Sequence, residues 1–433
     1  MPITKPARRT LIAGAVGNAI EFYDFVIYAF LAQYFAVHFF PTHDPVTGLI
    51  ATYGGFAAGM LMRPIGAILI GAIGDRVGRA TALQLSVIMI SVPTLLIGLL
   101  PTYESIGLWA PALLLAMRLI QGLSLGGEYP AAVVFLIERS APADRGWSGS
   151  FSPLGVVLGL LLGSVVCLAI TLALGESQMR DWGWRVPFIA SVVLTVIGVA
   201  LRQAITPDRQ STEGHSRPGL FNTLSTYWPQ IIAMGLANAV AGVTGFIGLM
   251  YAVPWMIREA GITASMAYGM NFVSLILCAW ATLLGGWLGD RIGRYRTVVL
   301  GASLALVGAW PAFLCLHSGW WPIMPIGSLL IALSQGLFTG PFCACMAALL
   351  PREVRVTALA IGFSTSMGLF GGLSPMLAEY LVGKQQWGMA PAWMMMAAAT
   401  LSLAALLSMP VWRRFNEALP EDSVAQPARV VIT

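Results

Sequence analysis

Charged side chains are rare in this sequence, and the few inside its apolar runs are its most chemical feature. Glu21 and Asp24 lie in the first run, Arg63 in the second, and Arg118, Gln121 and Glu128 in the fourth. A charge at the centre of a bilayer costs at least ~2.5 kcal/mol on insertion scales, so such residues must face a cavity or one another. A carboxyl in an apolar cavity can exchange protons near neutral pH, which makes Glu21, Asp24 and Glu128 candidate proton carriers, with Arg63 beside them. Arg118 carries a planar fork that matches a carboxylate and is the candidate anion anchor. Steps of three and seven put Arg118, Gln121 and Glu128 on one helical face. Asn18, Glu21, Phe25 and Tyr28 share another, flanked by Asp24. The competing role for each charge is a fixed ion pair that holds helices together, Glu21 with Arg63 or Arg118 with an acid. The two roles coexist if the pair opens when substrate or proton arrives.

The elements that position these residues follow from composition. Of 433 residues, 57% are apolar and 10% are charged. Soluble domains carry about 25% charged residues, so lipid must solvate much of this chain. The apolar runs are continuous, as in Thr81–Leu100 and Gly388–Met409, and do not alternate as a transmembrane barrel requires. They divide into twelve spans, the first near 11–36 and the last near 388–411. The expected fold is an all-α integral membrane protein. The basic start, Met1–Thr10, leads into a long apolar span with no small-residue cleavage site, so the first helix is expected to be retained.

Charge orients the chain. Of 24 basic residues, Arg180, Arg185, Arg258 and Lys384 fall on one side and Arg63 and Arg118 within spans, leaving 18 on the other side. The positive-inside rule puts both termini in the cytoplasm. This distribution also argues against nucleic acid as the reason for the net charge of +5. The five cysteines sit in apolar stretches without a CxxC pair, and the four histidines lack ligand spacing. No metal site or disulfide is expected, and no arrangement for nucleophilic catalysis or phosphate binding marks an enzyme.

A long-range repeat divides the chain. Gly71–Arg79 recurs as Gly286–Arg294, setting Asp75 and Asp290 215 apart. Gln121 and Gln335 are 214 apart, and Arg145 and Arg355 are 210 apart. Two six-helix bundles are therefore expected, 1–203 and 223–412, with a cytoplasmic linker at 204–222 and a tail at 413–433. Each half carries a candidate gate network at the cytoplasmic end: Asp75, Arg76, Arg79, Glu138 and Arg145 in the first, and Asp290, Arg291, Arg294, Glu353 and Arg355 in the second. Pairing in these networks is expected to hold that end shut in the outward-open state. The second half has almost no charge at mid-membrane. Asn238, Tyr251, Trp255, Asn271 and Gln335 either line the site there or join helices, and Glu379, late in the eleventh span, faces either an outer gate or the interface. Gly155, Gly159 and Gly163, four apart, form a smooth face for packing or sliding.

The Gly-x-x-x-Asp75-Arg76-x-Gly-Arg79 loop resembles the cytoplasmic signature of the major facilitator superfamily. Gly17–Phe25, Leu61–Gly66, Arg118–Tyr129 and Asp181–Phe188 narrow the resemblance to its metabolite:proton symporter family, which contains citrate, 2-oxoglutarate, shikimate and proline/betaine carriers. Pro130 departs from the pattern and marks a site for a kink in the fourth helix. The resemblance covers essentially the whole chain. It implies the major facilitator fold, alternating access in the cell inner membrane, a proton gradient as energy source with no cofactor, and a monomer.

The expected function is proton-coupled uptake of a small organic acid. The expected substrate contacts are Asn18, Tyr28, Arg118, Gln121, Tyr129, Asn238, Asn271 and Gln335. Arg118 tilts the choice toward a carboxylate, while flanking acids keep a zwitterion such as proline or betaine open. A proton-driven exporter of metabolites or drugs is a third possibility, but the fifth span lacks the Gly-Pro-x-x-Gly-Gly motif usual in such exporters. A receptor would need a soluble domain, and neither Ala204–Phe221 nor Arg413–Thr433 is long enough to be one.

Overall fold

In lipid every backbone polar group must be satisfied within the protein, and continuous apolar sequence does this as helix. The computed structural model describes residues 8–77, 79–204, 220–409 and 412, which are helices and short connections with no strand among them. Most of the expected linker and all of the expected tail lie outside these residues. The gate candidates Asp75, Arg76 and Arg79 lie outside those whose side chains are described.

Among the described residues, nine helices are long and apolar enough to cross a membrane: Pro45–Ile73, Trp109–Glu138, Pro142–Asp181, Leu220–Glu259, Ala264–Ile292, Arg294–His317, Met324–Ala348, Arg352–Lys384 and Ala390–Ser408. A pair bent by 60°, Ala15–Phe30 with Ala32–Phe39, and two shorter apolar helices, Gln84–Leu99 and Gly183–Ile197, bring the described spans to twelve. They are numbered here in chain order. The fourth span runs on as helix through Pro130, so the proline does not end it.

Small residues set how closely the spans approach. The Gly155–Gly159–Gly163 face of the fifth span packs on the first. A Cβ at Gly155 would lie 2.3 Å from the Ala15 carbonyl oxygen and one at Gly159 2.5 Å from that of Ala19. That face is internal packing within one half, not a surface between halves. The second and fourth spans cross where a Cβ at Gly122 would lie 1.9 Å from the Gly59 carbonyl oxygen. This crossing carries Arg118 and Gln121 into the protein. The halves meet along the fifth and eighth spans and along the second and eleventh.

Two breaks in helical regularity lie near the functional residues. At the bend of the first span, Tyr34 N bonds to Leu31 O, leaving the Phe30 carbonyl without its helical donor. The Tyr268 hydroxyl of the eighth span donates to it at 2.9 Å. The seventh span is π-helical over Thr244–Tyr251, and the eleventh over Met367–Gly372 and Tyr380–Lys384. Such stretches are rare and occur frequently at functional sites. The Asp181–Phe188 motif has a structural role: Trp184 is fully buried, and Arg185 Nη1 donates to the Gly98 and Leu100 carbonyls at 2.9 and 2.7 Å, satisfying the end of the third span.

Candidate functional site

Arg118 is fully buried. Its Nη1 donates to Gln121 Oε1 at 2.8 Å and to the Phe25 carbonyl at 3.2 Å. Gln121 is held in turn, donating from Nε2 to Thr94 Oγ1 of the third span at 2.7 Å. The guanidinium carbon lies 3.9, 4.4 and 5.5 Å from the ring centres of Phe25, Tyr28 and Phe56. Nε and Nη2 have no hydrogen-bond partner. A buried unsatisfied donor costs about 1–3 kcal/mol, more when charged. The fold thus fixes this fork on one side and leaves its other edge unfilled. Leu125, at seven residues from Arg118, completes a buried face of the fourth span.

The two acids of the first span part company. Asp24 is fully buried; its Oδ2 accepts from Ser91 Oγ at 3.5 Å and its Oδ1 has no partner. Glu21, also buried, sits within electrostatic reach of Arg63. Arg63 Nη2 donates to the Leu125 carbonyl at 3.4 Å, and its guanidinium lies 5.6 Å from the Phe363 ring centre. Glu21 is therefore the acid within reach of a cation, and Asp24 is held by a single hydroxyl. Half-buried Glu128 accepts from Ser86 of the third span at 3.2 Å.

The remaining substrate candidates scatter. Asn18 donates to Ser152 Oγ at 2.9 Å, inside the first half. The Tyr28 hydroxyl donates to the Thr52 carbonyl at 2.9 Å while its ring covers Arg118. Tyr129 sits between halves, 3.3 Å from Cys343 Sγ and stacked on Phe363 at 4.5 Å. Asn238 donates to Ser366 Oγ at 3.3 Å, joining helices of the second half, and Asn271 donates to Ser164 Oγ at 3.3 Å across the halves. Gln335 donates to the Ala241 carbonyl at 3.2 Å and keeps its Oε1 unpartnered.

Among the described gate residues, contacts cross between halves, beside the expected Asp290–Arg294 pair within the second. Glu138 pairs with Arg355 at 2.8 Å and with Arg352 at 3.8 Å. Asp290 accepts from the Gly146 and Trp147 amides at 2.8 and 2.7 Å and from Arg294 Nη2 at 2.7 Å. Arg294 also donates to the Pro142 carbonyl at 2.5 Å. Arg145 is buried, Arg291 lies over Trp287 at 4.2 Å, and Glu353 is exposed. Because the repeat places like motifs at one end of both halves, the acid of one half meets the segment after the fourth or tenth span of the other. At the opposite end Lys384 pairs with Asp44, and the Tyr53 and Tyr251 rings meet at 5.7 Å. Cross-half contacts are formed at both ends.

Sequence reasoning missed a buried ion pair in the second half. Glu379, 1% exposed, accepts from Arg258 Nη1 at 2.5 Å and from the Tyr251 hydroxyl at 2.9 Å. The charge distribution places Arg258 with Arg180, Arg185 and Lys384; its reach back into the bundle is a property of the folded helix end.

Comparison with known proteins bears on this geometry. A family model described as Sugar (and other) transporter matches residues 10–208, and one described as Major Facilitator Superfamily matches 234–430. The proline/betaine transporter of Escherichia coli K12 is 34% identical over 98% of this chain and 88% of its own. The chain belongs to the major facilitator superfamily. It is a multi-pass membrane protein of a transporter family. The glycine betaine/proline/ectoine/pipecolic acid transporter of Dickeya dadantii is 35% identical over 92% of this chain and 82% of its own. The crystal structure of a D-xylose-proton symporter superposes with a TM-score of 0.72 at 17% identity, covering 95% of this chain and 98% of that one. A bacterial homologue of the human lysosomal transporter Spinster gives 0.62 at 17% identity, covering 96% and 99%. These structural likenesses bear on the fold alone.

Proposed function

We propose that the chain imports a small zwitterion of the proline and betaine class, driven by protons, across a bacterial inner membrane with both termini in the cytoplasm. The observation that carries this reading is the open Nε–Nη2 edge of Arg118 among Phe25, Tyr28 and Phe56. A substrate carboxylate takes that edge bidentately. The three rings keep water from that edge, which strengthens a charge-assisted bond made there. The proline and betaine relatives support the zwitterion over the simple organic acid, which Arg118 alone would favour equally. Asp24, with one oxygen unpartnered, carries the proton. Substrate and proton together bias which set of cross-half contacts is broken, so that the site opens to one side at a time. The units in this reading are the bundles 1–203 and 223–412.

Uptake into proteoliposomes under an inward proton gradient tests the proposal. Labelled proline or glycine betaine accumulates, an uncoupler abolishes accumulation, and succinate neither enters nor competes. Accumulation of succinate without zwitterion uptake overturns the reading in favour of an organic acid.

A further inference from the structure

The second half holds a buried acid that this scheme leaves unused. Glu379 is sealed from solvent, whereas the side chain of its partner Arg258 is 32% exposed. Arg258 Nη2 also donates to the Tyr251 hydroxyl at 3.2 Å, and Tyr251 donates to Glu379 Oε2. Across the boundary between halves, Tyr53 of the second span meets Tyr251 edge to face. Tyr53 is fully buried, yet its hydroxyl has no hydrogen-bond partner. It also feels the charges of Glu379 and Arg258. Tyr53 follows Thr52, whose carbonyl takes the Tyr28 hydroxyl, and the Tyr28 ring lies against Arg118. The second span thus links the ring over the anion anchor, through Thr52, to Tyr53 and the buried acid of the other half. Tyr53 also lines a recess with Phe30, Gln33 and Tyr268, closed to water in this form.

A buried carboxyl that is charged needs a cation beside it, and removing that cation is costly. Arg258 supplies it from the rim, at the end of a long side chain that still reaches solvent. A quaternary ammonium cannot donate hydrogen bonds, so it is matched by negative charge and aromatic faces. We propose that Glu379, Tyr251 and Tyr53 form the subsite for the substrate's positive end, and that Arg258 occupies it as a built-in stand-in when substrate is absent. The proposal rests on the zwitterion reading. Its consequence is that opposite halves read the two charges of one small molecule. A ligand lacking either charge fails to draw the halves together.

Calorimetry on the purified full chain tests this with glycine betaine and 3,3-dimethylbutanoate, which has carbon in place of the betaine nitrogen. The wild-type protein is expected to prefer betaine by about 30-fold, the worth of a desolvated cation–aromatic contact. Glu379→Gln combined with Arg258→Gln removes the pair without stranding a buried charge. It is expected to shrink the preference to about three-fold or less while 3,3-dimethylbutanoate binds as before. Arg258→Gln alone is expected to tighten betaine binding several-fold, because the subsite no longer needs vacating. A double variant that keeps the full preference overturns the subsite and leaves the zwitterion reading standing. Equal weakening of both ligands by Arg258→Gln shows a purely structural pair and overturns the stand-in. A wild-type protein that binds both ligands equally overturns the zwitterion reading itself, and this inference with it.

Discussion

Arg355 Nη1 lies 2.8 Å from Glu138 Oε1, tying the first turn of the eleventh span to the last turn of the fourth. Arg355 is fully buried and also donates from Nε to the Leu350 carbonyl at 3.2 Å, whereas Glu138 is 24% exposed. A buried guanidinium depends on its carboxylate more than the carboxylate depends on it. Glu138→Gln is therefore expected to shift the protein toward the form open at this end. The readout is alkylation of a cysteine placed at Ser364, which now bonds across the halves to the Gly126 carbonyl. Its rate should rise about ten-fold, and an unchanged rate would remove the pair from the gate.

Gly146 closes the same end by close approach. A Cβ there would lie 2.6 Å from Asp290 Oδ1 and 2.7 Å from the Gly286 carbonyl oxygen. Gly146→Ala is expected to leave a folded protein that cannot seal this end, with transport reduced at least ~10-fold. Substrate binding measured at equilibrium should fall much less. If transport persists unchanged, the seal seen here is not on the transport cycle.

At the opposite end, the Lys384 ammonium and the Thr47 hydroxyl hold the Asp44 carboxyl at about 2, below its ordinary 3.8. The fold favours the charged form, so this contribution is complete above the ordinary value and disappears as pH falls from there through about 2. Between about pH 5 and 8 the pair does not titrate. The pH profile of transport over that window should therefore keep its shape in Asp44→Asn, whatever happens to its height. A profile that moves would show that Asp44 contributes to proton coupling.

Arg118→Lys tests the fork. An ammonium keeps the charge but cannot present two parallel donors. Affinity for glycine betaine should drop by about 10- to 100-fold, in line with loss of a charge-assisted bond of ~1.5–3 kcal/mol. Binding that matches wild type would move the carboxylate elsewhere.

Asp24→Asn tests the proton. The amide keeps size and polarity but cannot ionise. Exchange of labelled for unlabelled substrate across the vesicle should continue, while accumulation against a gradient disappears. Loss of both, with a folded protein, would give Asp24 a structural role.

The helical membrane fold and its spans were legible because they rest on local properties. An apolar run must become helix in lipid whatever surrounds it. Spacing alone also predicted that Arg118 and Gln121 share a face, and they bond at 2.8 Å because residues three apart are neighbours on any helix. Partners on other helices were not legible. Glu21 and Asp24 differ by about one helical turn in the sequence, yet one lies within electrostatic reach of Arg63 of the second span and the other bonds to Ser91 of the third. Glu138 crosses to Arg355 over 217 positions, and Arg258 to Glu379 over 121. Which side chain meets which across such distances depends on helix rotation, crossing angle and how closely glycines let backbones approach. Those quantities exist only once the helices are packed.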